Sequence, residues 1–563
     1  MKKKVFILLL ILLSSSDISA QQNGKKSIKE AMIEYAYQDI EKAIGYYRKL
    51  KRQESEKYNF ENENELNNLG YQLMNEDRKE DALKIFKLLV EEFPNSFNPH
   101  DSLGEAYLIN GQEELAIESY RKSLELNPEN KNAKWTIAQI QYQNRDKNKF
   151  DSVYTKQEYL DDLNELATRL TEINPHPYRY MTKEAFWGVV QEKKDLITDT
   201  TTYSEFIWHC SELIANINCG HSFIPGYFGQ EREMLPDTLR FPLELINIDK
   251  RLYVAHALVN EDKIEVGTEI YSINGISGRE ILNDINKHIG TQGKVGNAGK
   301  RHLFNWQATA MIPYALRFPK TYEVIIKGKK EPIQLEMLEN YEFPLAALNR
   351  CQETFCLDFS QENNTAIMKI NNWDFYGGRF KILQKFIDDS FQEIIERKSR
   401  NLIIDVRGNG GGNSWGAAHL LRYLAKKPFT YFKEAPLGSE KLKPLNPFEN
   451  TYQGHVYFLH DGRSGSTTGQ LLALAKHHRI GTLIGEESNG GIVYTGGQRM
   501  NRLTNTGVFY MVGRVNHITN APSVSEERGV FPDHYVVQTL KDFLTHTDTI
   551  MNYVIKLIAQ DLK

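Results

Sequence analysis

Three observations predict a multidomain α+β chain. A 34-residue repeat with helical periodicity occupies the N-terminal part, short clustered strands fill the middle, and strand and helix patterns alternate through the C-terminal part. The expected divisions are a leader at 1–20, a helical repeat domain at 21–150, a helical segment at 151–235, a β-rich module at 236–345 and an α/β domain at 346–563. With 40% hydrophobic and 25% charged residues among 563, the composition is that of globular domains. A net charge of −4 supplies no basic footprint for nucleic acid.

Taken in order, Lys2-Lys3-Lys4, the apolar run Val5 to Leu13 and the small residues of Ile18-Ser19-Ala20 read as a secretory signal peptide. The run is too short to span a bilayer, so the expectation is export to the periplasm or beyond, with no stable membrane span. A helix is expected between Ser27 and Glu54. Leu69-Gly70, Ala82, Phe86 and Pro94 then recur 34 positions later as Leu103-Gly104, Ala116, Tyr120 and Pro128. The small residues let paired helices approach, the prolines end the second helix of each pair, and Lys131 to Gln143 reads as a cap. Helical spacing continues from Thr155 to Asn218, broken by Asn174-Pro175-His176-Pro177.

Phe241 to Ile285 reads as short strands, and the pattern frays from Gly290 to Lys300 as in a mobile loop. From Ala366 onward strand, helix, strand and helix alternate to about residue 485. Two further strands are expected within Tyr494 to Val515, and a last helix from Tyr553 to Leu562. Four cysteines are present. Cys351 and Cys356 could close a small disulfide in an exported protein, or all four could be free thiols; Cys219 and His221 lack companions at zinc spacing.

Chemistry concentrates in two stretches of the α/β domain. In Val456 to Gly491 a buried strand breaks at Asp461-Gly462-Arg463, and a helix begins after Ser466. A hydroxyl there sits beside unpaired backbone N–H groups at the positive end of the helix dipole. Ser466 could attack a carbonyl, with the Thr467 N–H facing the oxyanion, or could merely cap the helix. In Leu402 to Gly412 a strand runs into a glycine-rich loop, and without a following Gly-Lys-Ser/Thr it is not a nucleotide cradle.

Together these stretches resemble the tail-specific, or C-terminal processing, serine protease family. Asp405, Arg407, Asn409, Gly411 and Gly412 match its Asp-x-Arg-x-Asn-x-Gly-Gly, Ser464 to Gly469 and Gly485 to Gly490 look like its nucleophile segment and the one after it, and Gly529-Val530-Phe531-Pro532-Asp533 matches its closing motif. Gly491 stands where one branch has its lysine base. The tricorn-core-like branch instead uses histidine: Asn218-Cys219-Gly220-His221 is similar to its histidine segment, and Glu526-Glu527-Arg528-Gly529-Val530 to its Glu-x-x-Gly-Val. The resemblance implies a crotonase-like catalytic fold, Ser466 as nucleophile, His221 as base and Glu526 as the acid that orients it. It further implies an oxyanion hole from Thr467 with Gly411 or Gly412, polypeptide substrates, and no metal or organic cofactor. Activity would then fall below about pH 6 to 7, near the ordinary imidazole pKa.

The 34-residue units resemble tetratricopeptide repeats, which implies a docking platform for a protein partner. Val266 to Gly275 looks like a PDZ segment. Two departures from the family pattern, Gly469 for a glutamate and Gly220 for a serine, favour a rival reading: a peptide-binding scaffold of the same fold without activity.

Overall fold

The computed structural model describes residues 25–75, 78–130, 132–134, 136–137, 140–141, 149–224, 235–341, 354–436 and 439–561. The leader at 1–20, part of the cap at 131–143 and Cys351 lie outside them. Two compact units divide the chain, Met1–Ile137 and Ala138–Lys563, so the helical segment, the β-rich module and the α/β domain share one unit.

The first unit is a run of antiparallel helices. The stretch expected as one helix is two, Ile28–Gln38 and Ile40–Gln53, because Asp39 is extended and caps the second by accepting from the Glu41 and Lys42 N–H groups. The repeat folds as Glu63–Asn75 with Lys79–Glu92, then Phe97–Ile109 with Glu113–Leu126. A side chain at Gly70 would meet the Phe86 ring at 2.7 Å, and one at Gly104 the Tyr120 ring at 3.0 Å. The same small-on-aromatic contact thus closes both pairs.

In the second unit a six-stranded sheet orders as His534–Tyr535, Thr482–Gly485, His455–His460, Asn401–Asp405, Thr365–Ile370 and Phe355–Ser360. All neighbours are parallel except the last pair. Asn401–Asp405 is buried along its whole length, which is why Leu402, Ile403 and Ile404 run without polar alternation. Helices Phe380–Glu396, Ser414–Leu424 and Thr467–His478 pack over Leu402, Ile404 and Phe458. Cys356 on the edge strand is disulfide-bonded, whereas Cys210 and Cys219 are free and buried.

The β-rich module is a second six-stranded sheet from Glu244–Ile248 to Ile333–Gln334, with helices Gly278–His288 and Asn297–Ala315 packed over Leu252, Ile270 and Val324. The stretch between those helices, expected to be mobile, is a buried strap. The Gly293 N–H donates to the Asn218 carbonyl at 2.9 Å, the Lys294 N–H to the Glu527 carbonyl at 2.7 Å and the Gly296 N–H to Glu487 Oε2 at 3.0 Å.

Where two strands were expected near 494–515, four occur: Val493–Gly496, Arg499–Arg502, Phe509–Val512 and Val515–Thr519. The middle two form a hairpin pinned to the helical segment by Asp162, on the helix Lys156–Ile173. Its buried carboxylate accepts from the Asn505 N–H at 2.9 Å and from the Thr506 N–H and Oγ1 at 2.7 and 2.6 Å. The hairpin in turn bonds Phe223 through reciprocal Phe223–Met511 backbone bonds of 3.2 and 2.8 Å. Asp162→Ala strands these donors in the core. It should destabilise the protein by about 3 kcal/mol, read as a shift in urea midpoint at unchanged slope.

Candidate active site

Ser466 lies just past the carboxyl end of His455–His460, and the glycine loop lies past the end of the adjacent strand Asn401–Asp405. Open parallel sheets receive their ligands at this edge. The turn holds Ser466 at φ 48°, ψ −123°, a conformation disfavoured for a residue with a Cβ. The neighbouring bonds maintain it. Ser464 Oγ donates to the Val406 carbonyl at 2.9 Å, the Gly465 N–H to the Asn409 carbonyl at 3.1 Å, and the Asn489 N–H to the Ser464 carbonyl at 2.9 Å. Ser464 is therefore the residue that braces the turn. Ser466 caps nothing, since its side chain makes no capping bond to the helix behind it.

Glycine is needed at 411 and 412 because both have positive φ and both are crowded. A Cβ at Gly411 would come within 2.5 Å of the Ser466 Cβ and 2.9 Å of the Thr467 nitrogen. Of the expected oxyanion donors, Gly411 is occupied, its N–H given to Asn409 Oδ1 at 3.0 Å. The N–H groups of Thr467 and Gly412 have no hydrogen-bond partner among the described residues. Thr467 Oγ1 donates to the Gly412 carbonyl at 2.6 Å and so couples the two. Asp405 and Arg407 of the same motif stay outside the chemistry: Arg407 forms paired bonds to Asp405 and Asp548, which fasten the loop to the last helix, Thr549–Asp561.

His221 arrives from the helical segment. Its Nε2 lies 3.2 Å from Ser466 Oγ, across 245 positions of sequence. Ser222 is part of the support, accepting the Gly513 N–H at 3.1 Å through its buried hydroxyl. Burial pushes the imidazole pKa down to about 4, the nearby His517 acts in the same direction, and only the Gln292 amide opposes them. The ring is therefore neutral well below the pH range expected for an ordinary imidazole.

Glu526 is not brought to the ring. Its side chain is 53% exposed and sits 4.0 Å from Arg179 Nη1, while the Tyr180 hydroxyl donates to its carbonyl at 3.4 Å. Gly293 of the strap packs against the Glu527 carbonyl and bonds the Asn218 carbonyl, so the strap joins the two segments that carry Glu526 and His221. Meanwhile His221 Nδ1 is buried with no hydrogen bond of good geometry among the described residues. Gly469 also has a physical reason: the Tyr494 hydroxyl fills the space where a side chain at 469 would begin. Gln292, Tyr494 and Asp162 carry no local sequence signal, since each matters only through a partner distant in the chain.

Residues 364–536 match the model of peptidase family S41. Mature CPAF complexed with lactacystin superposes with a TM-score of 0.51 at 12% identity, over 72% of this chain and 98% of that one, and shares the fold. The photosystem II D1 C-terminal processing protease matches over 67% of this chain and 92% of its own, at 13% identity and a TM-score of 0.33. The tricorn protease matches over 72% of this chain and 37% of its own, at 16% identity and a TM-score of 0.30. No curated protein matches the sequence. With a serine on a strained turn, a glycine loop against it and the family match spanning both, residues 364–536 are of peptidase family S41 and the chain is a serine-type peptidase.

Proposed function

We propose that the protein is an exported serine endopeptidase that cleaves polypeptides through an acyl-enzyme, with Ser466 as nucleophile and His221 as base. The observation that carries this reading is the 3.2 Å approach of His221 Nε2 to Ser466 Oγ. Neutral Nε2 takes the hydroxyl proton as Oγ bonds to the scissile carbonyl carbon. The Thr467 and Gly412 N–H groups receive the oxyanion. As the intermediate collapses, the imidazolium returns its proton to the leaving amine. Water then repeats the cycle in the opposite sense and frees Ser466. These steps need no metal or organic cofactor.

Glu526 enters this scheme only by leaving Arg179, so the resting site has two working side chains rather than three. The helical pairs of the first unit, read as tetratricopeptide repeats, would hold a protein partner, and the 236–345 module is read as PDZ-like. Export rests on the Lys2–Lys4 and Val5–Leu13 pattern. Among the described residues no helix is long and apolar enough to cross a membrane.

A fluorophosphonate probe should label Ser466, and Ser466→Ala should abolish the label; an unchanged signal in that variant removes Ser466 from the mechanism. His221→Ala should lower kcat on a peptide substrate by about 10²- to 10⁴-fold at neutral pH. The pH profile follows from the sign of the His221 shift. The working form is the neutral ring, and its pKa is lowered to about 4, so activity should persist through pH 6 and fall only between about pH 5 and 4. An acid limb above about pH 8 would point to a lysine base instead.

A further inference from the structure

The strap between Ile289 and Asn297 belongs to the β-rich module, yet it delivers a side chain to the candidate site. Gln292 is 5% exposed, and its Oε1 accepts the Gly220 N–H at 3.1 Å, one residue before His221. Its Cβ packs where Gly490 leaves room, 2.9 Å from the point a Cβ there would occupy. The Gln292 amide also lies near Tyr180, where it works against the upward push of burial on that phenol. A carbonyl oxygen has two lone pairs, and Gly220 uses one.

On the other side stands an unanswered group. His221 Nδ1 is buried and has no hydrogen bond of good geometry among the described residues, while Nε2 faces Ser466. A buried N–H left without an acceptor costs about 1–3 kcal/mol, and Gln292 is the side chain whose hydrogen bonding opposes the downward push of burial on this ring. We propose that Gln292 is the positioning residue of this site: its Oε1 receives the His221 Nδ1–H with its second lone pair and so holds the tautomer in which Nε2 can accept the Ser466 proton. The proposal rests on the reading of Ser466 and His221 as nucleophile and base.

A neutral amide in this place has a consequence that a carboxylate would not. It orients the ring without supplying a negative charge to the imidazolium. The other titratable groups around the ring give none either. Cys219 is buried and held in its thiol form, Tyr494 meets the ring edge-on at 6.0 Å with its phenol pushed toward the neutral state, and His517 is itself a base. Glu526 and Arg179 lie across the strap. The base is thereby kept weak and uncharged by its surroundings.

The test uses the full-length protein and the pH dependence of the fluorophosphonate labelling rate, with Ser466→Ala as the variant that judges the underlying reading. Gln292→Glu, which keeps the size and places a charge at Nδ1, should move the acid limb upward by about one pH unit or more. Gln292→Leu, which removes the acceptor, should slow labelling by about tenfold or more without moving the limb upward. A residue that only packs would leave the limb of Gln292→Glu where it was. The proposal is overturned if that limb stays within about 0.3 units of the parent while Ser466 still labels. Should Gln292→Leu fail to fold, the limb of Gln292→Glu decides alone.

Discussion

The approach of Gly411 to Ser466 is the contact on which the catalytic half of the molecule turns. Two parallel strands end side by side, and the loops that leave them must share a space too small for a Cβ at position 411. The serine pays with a backbone conformation that costs about 1–3 kcal/mol in isolation. It is held there by bonds from Ser464, Gly465 and Asn489 to their neighbours. What results is a hydroxyl standing clear of its helix, with unpaired N–H groups on two sides. The serine hydroxyl and the N–H groups near it are thus a product of one packing constraint.

The base comes to this platform by a longer route. Asp162 fastens a hairpin to the helical segment, the hairpin pairs with Phe223, the Gly513 N–H donates to the Ser222 hydroxyl, and the strap brings Gln292 to the Gly220 N–H. The Asp162 and Ser222 ties are buried polar contacts, the kind that specifies a single arrangement when fully satisfied. Burial then does the electrostatic work. An imidazole shielded from water and given no counter-charge stays neutral, which suits a proton acceptor.

How far sequence reaches follows from the range of each interaction. The strand-to-glycine-loop and strand-to-serine turns are written in contiguous residues, Leu402 to Gly412 and Val456 to Ser466, and their elements lie where the pattern puts them. The repeat is legible for the same reason, because Gly70 and Phe86 sit on consecutive helices. The strap was opaque. Gly290 to Lys300 has the composition of a loop, and only contacts with 218–220, 487 and 527 make it rigid. Glu526 shows the converse: motif spacing assigns it a role, while its half-exposed carboxylate stands 4.0 Å from Arg179, a residue far away in the chain. The helix break at Asp39 and the extra strands near 499–512 were missed because capping and hairpin pairing each needed a partner to be visible.

The distance in sequence between imidazole and hydroxyl has a bearing on biosynthesis. A ribosome releases the histidine first, the serine 245 residues later, and the hairpin that steadies the histidine later still. Until Phe509–Val512 has docked, the bonds to Phe223 that help to hold the ring beside its hydroxyl are missing. Loop closure on this scale is slow relative to local helix formation. An incomplete chain therefore lacks the late hairpin, so the imidazole and the hydroxyl gain their full support only once synthesis has passed both.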